Sequence, residues 1–476
     1  MANSDDSQAA TGEKREDARP KGLKLFLITI AMTLTNTMFW ADPNMVTVIL
    51  PYMQGSLSAT LDQVSWVLTT FIVAQAMVSP VIGWLTARVG RKQLMLTCIG
   101  MFTTCACLCA SADSISEIII YRVGQGLCGA PLVALSQAVL LDAYPRERHG
   151  TAMGVWLAGV AIAASVGPVV SGYLTEHYSW RLVFFASVPL AAVTSTLIIL
   201  YMRDTARSAA GHFDALGFCM IATGVAALQI MLDRGEREDW FDSSLIVLLG
   251  AVAAIGLYLF LVHTITTTKP LVNPRLMRDR NFALGMMFVI GFGVLQYTSL
   301  ALWPPFVRVV LDMPMDTAGM VLANRGIGLF PAMLFGSWFV NRYDPRILMV
   351  VGLSTVALTL KMMSGFTQDS SVLSVVMTAF VQGAGFGATF LPLSAITFAT
   401  LNSSLRSEGT ALYNFGQNIG GSMGIAILVA VLSRSIQTNR SRLVEHATPY
   451  NELFREPYLP QLWSLENLNG LAAVNA

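Results

Sequence analysis

Charged side chains inside long apolar runs are where chemistry is sought first, because a charge in a bilayer interior is costly and marks an ion or substrate path by default. Asp42 is the acid set well inside such a run, Arg122 is the clearest embedded cation, and Arg325 is the next. A carboxylate beside a guanidinium can exchange an ion pair for a bound proton, so Asp42, Arg122 and Arg325 are candidates for proton coupling. The bland alternatives are a folding or interface role for Asp42 and a structural ion pair for Arg122. Other chemistry finds no footing. The histidines (His149, His177, His212, His263, His446) fall at run ends or in loops, not where an intramembrane metal or base would sit. Cys105-x-Cys107-x-Cys109 has no acid or histidine nearby, and on a helix its middle member points away from the other two, so no metal site is expected. Gly124-x-Gly126-x-x-Gly129 has the lettering of a dinucleotide loop but lies inside an apolar run instead of between a strand and a helix. No phosphate-binding Gly-x4-Gly-Lys-Ser/Thr is present, so no cofactor is expected and a proton gradient is the natural energy source.

A second set of polar residues sits mid-run: Asn36, Gln75, Gln296, Asn324, Asn414, Gln417 and Asn418. Lipid cannot satisfy them, so each should face the bundle interior. With Phe39, Trp40, Tyr297, Trp303 and Tyr413 interspersed, they suggest a mostly apolar cavity with a few hydrogen-bonding points, suited to lipophilic compounds more than to sugars or ions. Asn36, Gln75, Gln296, Tyr297, Asn414 and Gln417 are the expected lining.

The elements that must position these residues follow from composition. Of the 476 residues 54% are apolar and only 12% charged, far below the quarter usual for a soluble chain. A net charge of +1 provides no basic field for nucleic acid. A helix needs about 20 apolar residues to cross the hydrocarbon core. Such runs cover 23–52, 64–86, 93–111, 115–141, 150–175, 182–202, 214–233, 244–267, 282–308, 317–340, 347–366, 371–400 and 408–433, predicting 13 spans. Lys and Arg crowd the N-terminal tail and the loops after even-numbered spans (Arg88, Arg91, Lys92, Arg146, Arg148, Arg342, Arg346 and Arg406 among them). Those after odd-numbered spans hold Arg181, Arg234, Arg237 and Arg308. The N-terminus and the even loops are therefore expected in the cytoplasm. With that orientation Asp42 lies about 15 Å and Arg122 about 10 Å from the outer ends of their spans, close enough in depth to meet. Lys361, near a span end, should snorkel.

The chain also repeats itself. Gln125-Gly126-x-x-Gly129 of the fourth run is echoed by Gln382-Gly383-x-Gly385-x-Gly387 of the twelfth, and Gly150-Thr151-Ala152 by Gly409-Thr410-Ala411. Near-constant offsets argue for duplicated halves, as in many secondary transporters. Spans 7 and 8 are then an insertion. Arg122 falls on Ala379, so the second half lacks its cation, which places proton chemistry in the first half.

Two further patterns concern movement. Gly83-Trp84-Leu85-Thr86-Ala87-Arg88-Val89-Gly90-Arg91-Lys92 is a short basic loop framed by paired glycines. Gly154, Ala163, Gly167, Pro168, Ser171 and Gly172 supply small residues and a bend to span 5, a face that another helix can approach closely.

On these motifs the chain resembles the major facilitator superfamily. Gly83, Arg88, Gly90 and Arg91 look like its loop signature, and Arg122, Gln125 and Gly126 its fourth-span motif. Gly154, Gly167, Pro168 and Gly172 look like the fifth-span motif of drug/proton antiporters. Asp42 with Pro51 resembles the first-span motif of the fourteen-span EmrB/QacA branch, and Asp233-Arg234-Gly235 with Asp239-Trp240-Phe241 leans towards EmrB. Ala87 stands where the loop signature has an acid, Ala163 and Ser171 replace glycines, and no fourteenth apolar run follows.

The expected fold is an all-α, polytopic membrane protein of major facilitator type, with two pseudo-symmetric bundles and an inserted pair. Residues 1–22 are expected as a disordered cytoplasmic tail, 23–202 as a six-helix bundle, 203–280 as the inserted pair and cytoplasmic linker, 281–433 as a five-helix bundle, and 434–476 as a polar tail on the extracytoplasmic side. The expected function is proton-coupled efflux of lipophilic or amphipathic compounds from the cell across the inner (plasma) membrane by alternating access, and no enzyme activity. The resemblance implies a periplasmic adaptor and an outer-membrane channel as partners. A narrow exporter of a fatty acid, siderophore or metabolite is the alternative. A membrane-embedded enzyme or sensor is the distant one, lacking a catalytic cluster or output domain.

Overall fold

The computed structural model describes residues 22–145, 148–203, 213–236, 238–267, 270–312, 315–401 and 405–446. Among them every regular element is helical, as an apolar chain requires when lipid cannot satisfy backbone polar groups. The helices of the first half are α1 (Leu23–Ser56), α2 (Leu61–Val78), α3 (Ile82–Val89), α4 (Arg91–Ser111), α5 (Ile115–Ala143), α6 (His149–His177), α7 (Arg181–Phe185) and α8 (Ser187–Tyr201). Then come α9 (Ala215–Arg234), α10 (Ser244–Thr266), α11 (Arg275–Arg278), α12 (Arg280–Pro305), α13 (Met315–Val340), α14 (Pro345–Met363), α15 (Val372–Phe398) and α16 (Arg406–His446).

Among the described residues 12 helical segments are long and apolar enough to cross a membrane, α2–α3 and α7–α8 each counting as one. The remaining predicted run, 317–340, is the 26-residue α13, whose apolar stretch is interrupted by Asn324 and Arg325. The span ends are set by local chemistry. Thr60 and Gln63 cap α2 reciprocally (Gln63 N to Thr60 Oγ1 3.2 Å, Thr60 N to Gln63 Oε1 3.0 Å). Gly90, at φ 92°, takes the left-handed turn that ends α3 and starts α4, a conformation L side chains rarely adopt.

The repeat is written into the packing. In the first half α5 packs against α1, α2 and α4; in the second α15 packs against α12, α13 and α14. Ser114 caps α5 through Glu117 N, and Ser371 caps α15 through Ser374 N, both at 3.3 Å. Helix α6 packs on α1 and on α13, and so joins the halves. The inserted pair forms a hairpin in which α9 packs against α2. Only 11% of the most apolar stretch of α10 is buried by protein, so α10 is the lipid-facing member.

The chain divides into two compact units at Gly424. The first holds everything above up to that residue. In the second the described residues, Ile425 to His446, are helical, so the segment expected as polar tail begins as helix. The expected tail 1–22 lies outside the described residues but for Gly22, as do residues 447–476.

Candidate functional site

Asp42, Arg122 and Gln125 come together at the contact of α1 and α5. Arg122 Nη1 pairs with Asp42 Oδ2 and also donates to Gln125 Oε1 at 2.8 Å. Gln125 Nε2 donates to Asp42 Oδ1 at 2.8 Å, closing a triangle. Arg122 Nε is held by Val67 O at 3.0 Å, and its guanidinium lies 4.3 Å over the Phe71 ring. Arg122 is 0% and Asp42 8% exposed, so the pair sits in low dielectric where its attraction is strong. Gln125, expected only as part of a motif, proves to be the third member. Gly126 beside it lets α2 close in, since a Cβ there would meet Ala74 Cβ at 2.9 Å. Asp42 also lines a pocket of about 310 Å³ with Met38, Val46, Phe184 and Ser187, between α1 and the α7–α8 span.

The second half answers this triangle with neutral groups. Gln382 of α15, at the repeat offset from Gln125, accepts from Trp303 Nε1 of α12 at 2.7 Å. Trp303 and Ala379 are both fully buried in an apolar cluster. Among the described residues the buried acid–arginine pair thus has no charged counterpart at the matching place in the second half.

A larger cavity, about 1110 Å³, lies on the other side of α1. Trp40, Pro43, Asn44 and Thr47 of α1 line it with side chains from α2, α6, α12, α13 and α15, including Pro168, Gln296, Tyr297, Arg325 and Phe386. A smaller one, about 370 Å³, shares Trp40, Val160, Gln296, Leu329 and Phe386 with it and adds Asn414 and Gln417. Trp40 and Tyr297, both in the wall of the larger cavity, lie 6.4 Å apart between centroids. Polar walls are tied down: Gln417 Nε2 donates to Gln296 Oε1 at 2.8 Å, and Tyr297 Oη to Asn418 Oδ1 at 3.2 Å.

Of the expected lining, Gln296, Tyr297, Asn414 and Gln417 are in place. Asn36 and Gln75 are not. Asn36 donates to Trp156 O of α6 at 3.0 Å and is 0% exposed, so it ties two helices together. Gln75 is buried in α2 but lines neither cavity. Phe39, Trp303 and Tyr413 are core residues. Arg325 does not join Asp42. It lines the large cavity, with Nη2 donating to Gln296 O at 3.2 Å and its guanidinium 4.9 Å from the Phe386 ring.

The small residues of α6 do not form one face. Nine residues, two and a half turns, separate Gly154 from Ala163, so they point to opposite sides. Gly154 packs on α13, where a Cβ would meet Ser337 Cβ at 3.0 Å, whereas Gly167 faces Met45 Cγ of α1 at 3.4 Å. Gly172 meets nothing within 4 Å and serves neither contact.

At the basic-loop end the halves are fastened by a group the sequence pattern did not single out. Asp142 accepts from Arg91 Nη1 and from Arg406 Nη1, each at 2.6 Å, and Arg406 also donates to Leu141 O at 2.9 Å. Arg91 belongs to the glycine-framed loop and Arg406 opens α16, so one acid from α5 holds both. Asn414–Gln137 (3.1 Å) and Asn341–Thr151 (3.0 Å) add neutral bonds between the halves nearby. Gly83 of the same loop faces Glu408, at 3.2 Å from a Cβ placed on Gly83 to Glu408 Cβ. Arg88, which is exposed, stacks 5.6 Å from the Trp84 ring. The missing loop acid at Ala87 therefore does not leave the loop unfastened. An acid at the end of span 4, on the same side of the membrane as the loops that carry Arg91 and Arg406, was the available signal.

Two like-packed helical halves, a buried charged triangle in one of them and an apolar cavity walled by both are the build of a secondary transporter. The chain is a multi-pass membrane protein and belongs to the Major Facilitator Superfamily, whose profile matches residues 25–425. It is 31% identical over 445 residues to the multidrug export protein EmrB of Haemophilus influenzae, covering 92% of this chain and 86% of that protein. It is 31% identical over 440 residues to the fatty acid resistance protein FarB of Neisseria gonorrhoeae, covering 92% and 86%. The crystal structure of the human organic anion transporter MFSD10 matches with a TM-score of 0.62 over 86% of this chain and 94% of that one. At 13% identity that likeness speaks for the fold alone.

Proposed function

We propose that this protein exports lipophilic or amphipathic compounds in exchange for protons, a drug:proton antiporter working by alternating access with no cofactor beyond the proton gradient. The observation that carries the reading is the double duty of α1. One side presents Asp42 to Arg122, Gln125 and a small pocket; the other, through Trp40, Pro43, Asn44 and Thr47, walls the large cavity. Protonating Asp42 removes the charge that binds α1 to Arg122, which keeps Val67 O, Gln125 and Phe71. Helix α1, continuous but lacking a backbone donor at Pro43 and Pro51, can then shift and reshape the cavity wall. Proton and substrate need not share a space. Release of Asp142 from Arg406, the bond between the halves, would open the basic-loop end in the same cycle.

In this reading the basic loops and N-terminus face the cytoplasm of the inner membrane, and a periplasmic adaptor with an outer-membrane channel carries the substrate onward. The likeness to EmrB supports broad export and the likeness to FarB supports a narrower range. Purified protein in liposomes, given an imposed pH gradient, should accumulate lipophilic dyes only while the gradient lasts. Transport that ignores the gradient, or none across a diverse panel, would count against the proposal. Accumulation of one compound class alone would select the narrow exporter.

A further inference from the structure

Arg325 is nine-tenths buried in the wall of the large cavity, yet the described lining contains no acid to balance it. A guanidinium has five N–H donors, and one of these, on Nη2, is used on Gln296 O. Phe386 covers its face. The remaining donors have no acceptor among the described residues, although a buried charge left without a partner is strongly unfavourable. Asp42 is spoken for by Arg122 and Gln125 on the far side of α1. Around Arg325 the cavity is lined by Trp40, Ile72, Tyr297, Leu300 and Leu329, all suited to an apolar body.

From this arrangement we infer that the large cavity is a binding site for lipophilic organic anions, with Arg325 holding the carboxylate or sulfonate and the aromatic and aliphatic walls holding the body. The inference rests on the export reading and adds the charge of the substrate to it. Arg suits the task because its planar fork meets a carboxylate with two parallel bonds and stays charged at any working pH. The bound anion supplies the countercharge that the protein lacks. A cation of the same size would face Arg325 with the apolar wall unable to screen the repulsion.

The test is equilibrium binding by the full chain in lipid nanodiscs, with empty nanodiscs as background. The probes are anthracene-9-carboxylate, anthracene-9-carboxamide and 9-(aminomethyl)anthracene, read by energy transfer from tryptophan. The carboxylate should bind at least about tenfold more tightly than the amide, as expected for charge-assisted hydrogen bonds, and the amine most weakly. Arg325→Gln should reduce the carboxylate preference to about twofold or less, and Arg325→Lys should restore part of it. Equal binding of carboxylate and amide by the unaltered protein overturns the inference, whatever the variants do. So does an undiminished preference in folded Arg325→Gln. Because no gradient is present, the export reading is judged separately. Gradient-driven transport of the neutral amide alongside absent charge preference would sink this inference only. Charge-selective binding without any gradient-driven transport would sink the export reading only.

Discussion

Neutralising the buried pair one partner at a time, then together, separates its structural role from its role in coupling. In Asp42→Asn the side-chain shape is kept and Arg122 is left charged at 0% exposure. Breaking a buried pair on one side costs about 3–5 kcal/mol. Arg122 retains Val67 O, Gln125 Oε1 and the Phe71 ring, contacts it already makes in the parent, so they keep the cation in place but cancel from the difference. A loss of about 3–5 kcal/mol is therefore expected, seen as a lower midpoint of thermal unfolding in detergent. Arg122→Gln should lose a comparable amount. The double variant Asp42→Asn/Arg122→Gln places two amides and Gln125 in the same space and should recover most of the loss, since neutral replacements of buried ion pairs are often tolerated. Gradient-driven export should be absent from Asp42→Asn and from the double variant alike. Recovery of stability without recovery of transport is the expected pattern. A double variant that exports against a gradient at the normal rate would refute the coupling role and leave the triangle as a packing device.

Asp142→Asn weakens both halves of the fastening at the basic-loop end. Spin labels at the exposed positions 88 and 342 should report a larger population of long distances, and an unchanged distribution would place the closure elsewhere. Gly167→Leu should impair cycling or assembly more than ligand affinity, because its side chain must enter space held by Met45, Ala41 and Asn44 of α1; full export activity would contradict this. Asp214 lies at the foot of α9. Burial pushes its carboxyl up, but Gly217 N, His263 Nε2 and Leu271 N outweigh that and hold it below the usual range. A depressed carboxyl adds stability that is complete above about pH 4 and fades as pH falls through its folded value. Asp214→Ala should therefore lower the unfolding midpoint at pH 7 and flatten its decline on acidification, and parallel curves for variant and parent would count against the anchor.

How much of this was legible without coordinates varies with the interaction concerned. Span positions follow from apolar length alone, and the runs met helices throughout because bilayer thickness fixes that scale. The meeting of Asp42 and Arg122 was readable from matched depth, since few charges compete for partners inside a membrane. Which way a polar side chain turns was not. Asn36 and Gln296 look alike in sequence, but Asn36 finds a backbone carbonyl on a neighbouring helix and Gln296 finds another amide at the cavity edge. Gly154 and Gly167 were grouped by residue type, and helical phase divides them between α13 and α1. Asp142 escaped notice because its two cations lie far off along the chain, Arg91 at the start of the preceding helix in the same half and Arg406 in the other half. The neutral Gln382–Trp303 pair was half visible, in the repeat that set Ala379 opposite Arg122.

The central claim is that filling the cavity on one side of α1 expels a proton from Asp42 on the other. Purified protein in a weakly buffered detergent solution with a pH indicator, titrated with a transported lipophilic compound, measures this directly. The account predicts release of up to one proton per ligand bound, set by the acid embedded in α1 and measured under conditions where the ligand-free protein carries that proton, and none in Asp42→Asn even where that variant still binds the compound. Saturating binding with no proton release by the unaltered protein, or equal release by Asp42→Asn, would contradict it.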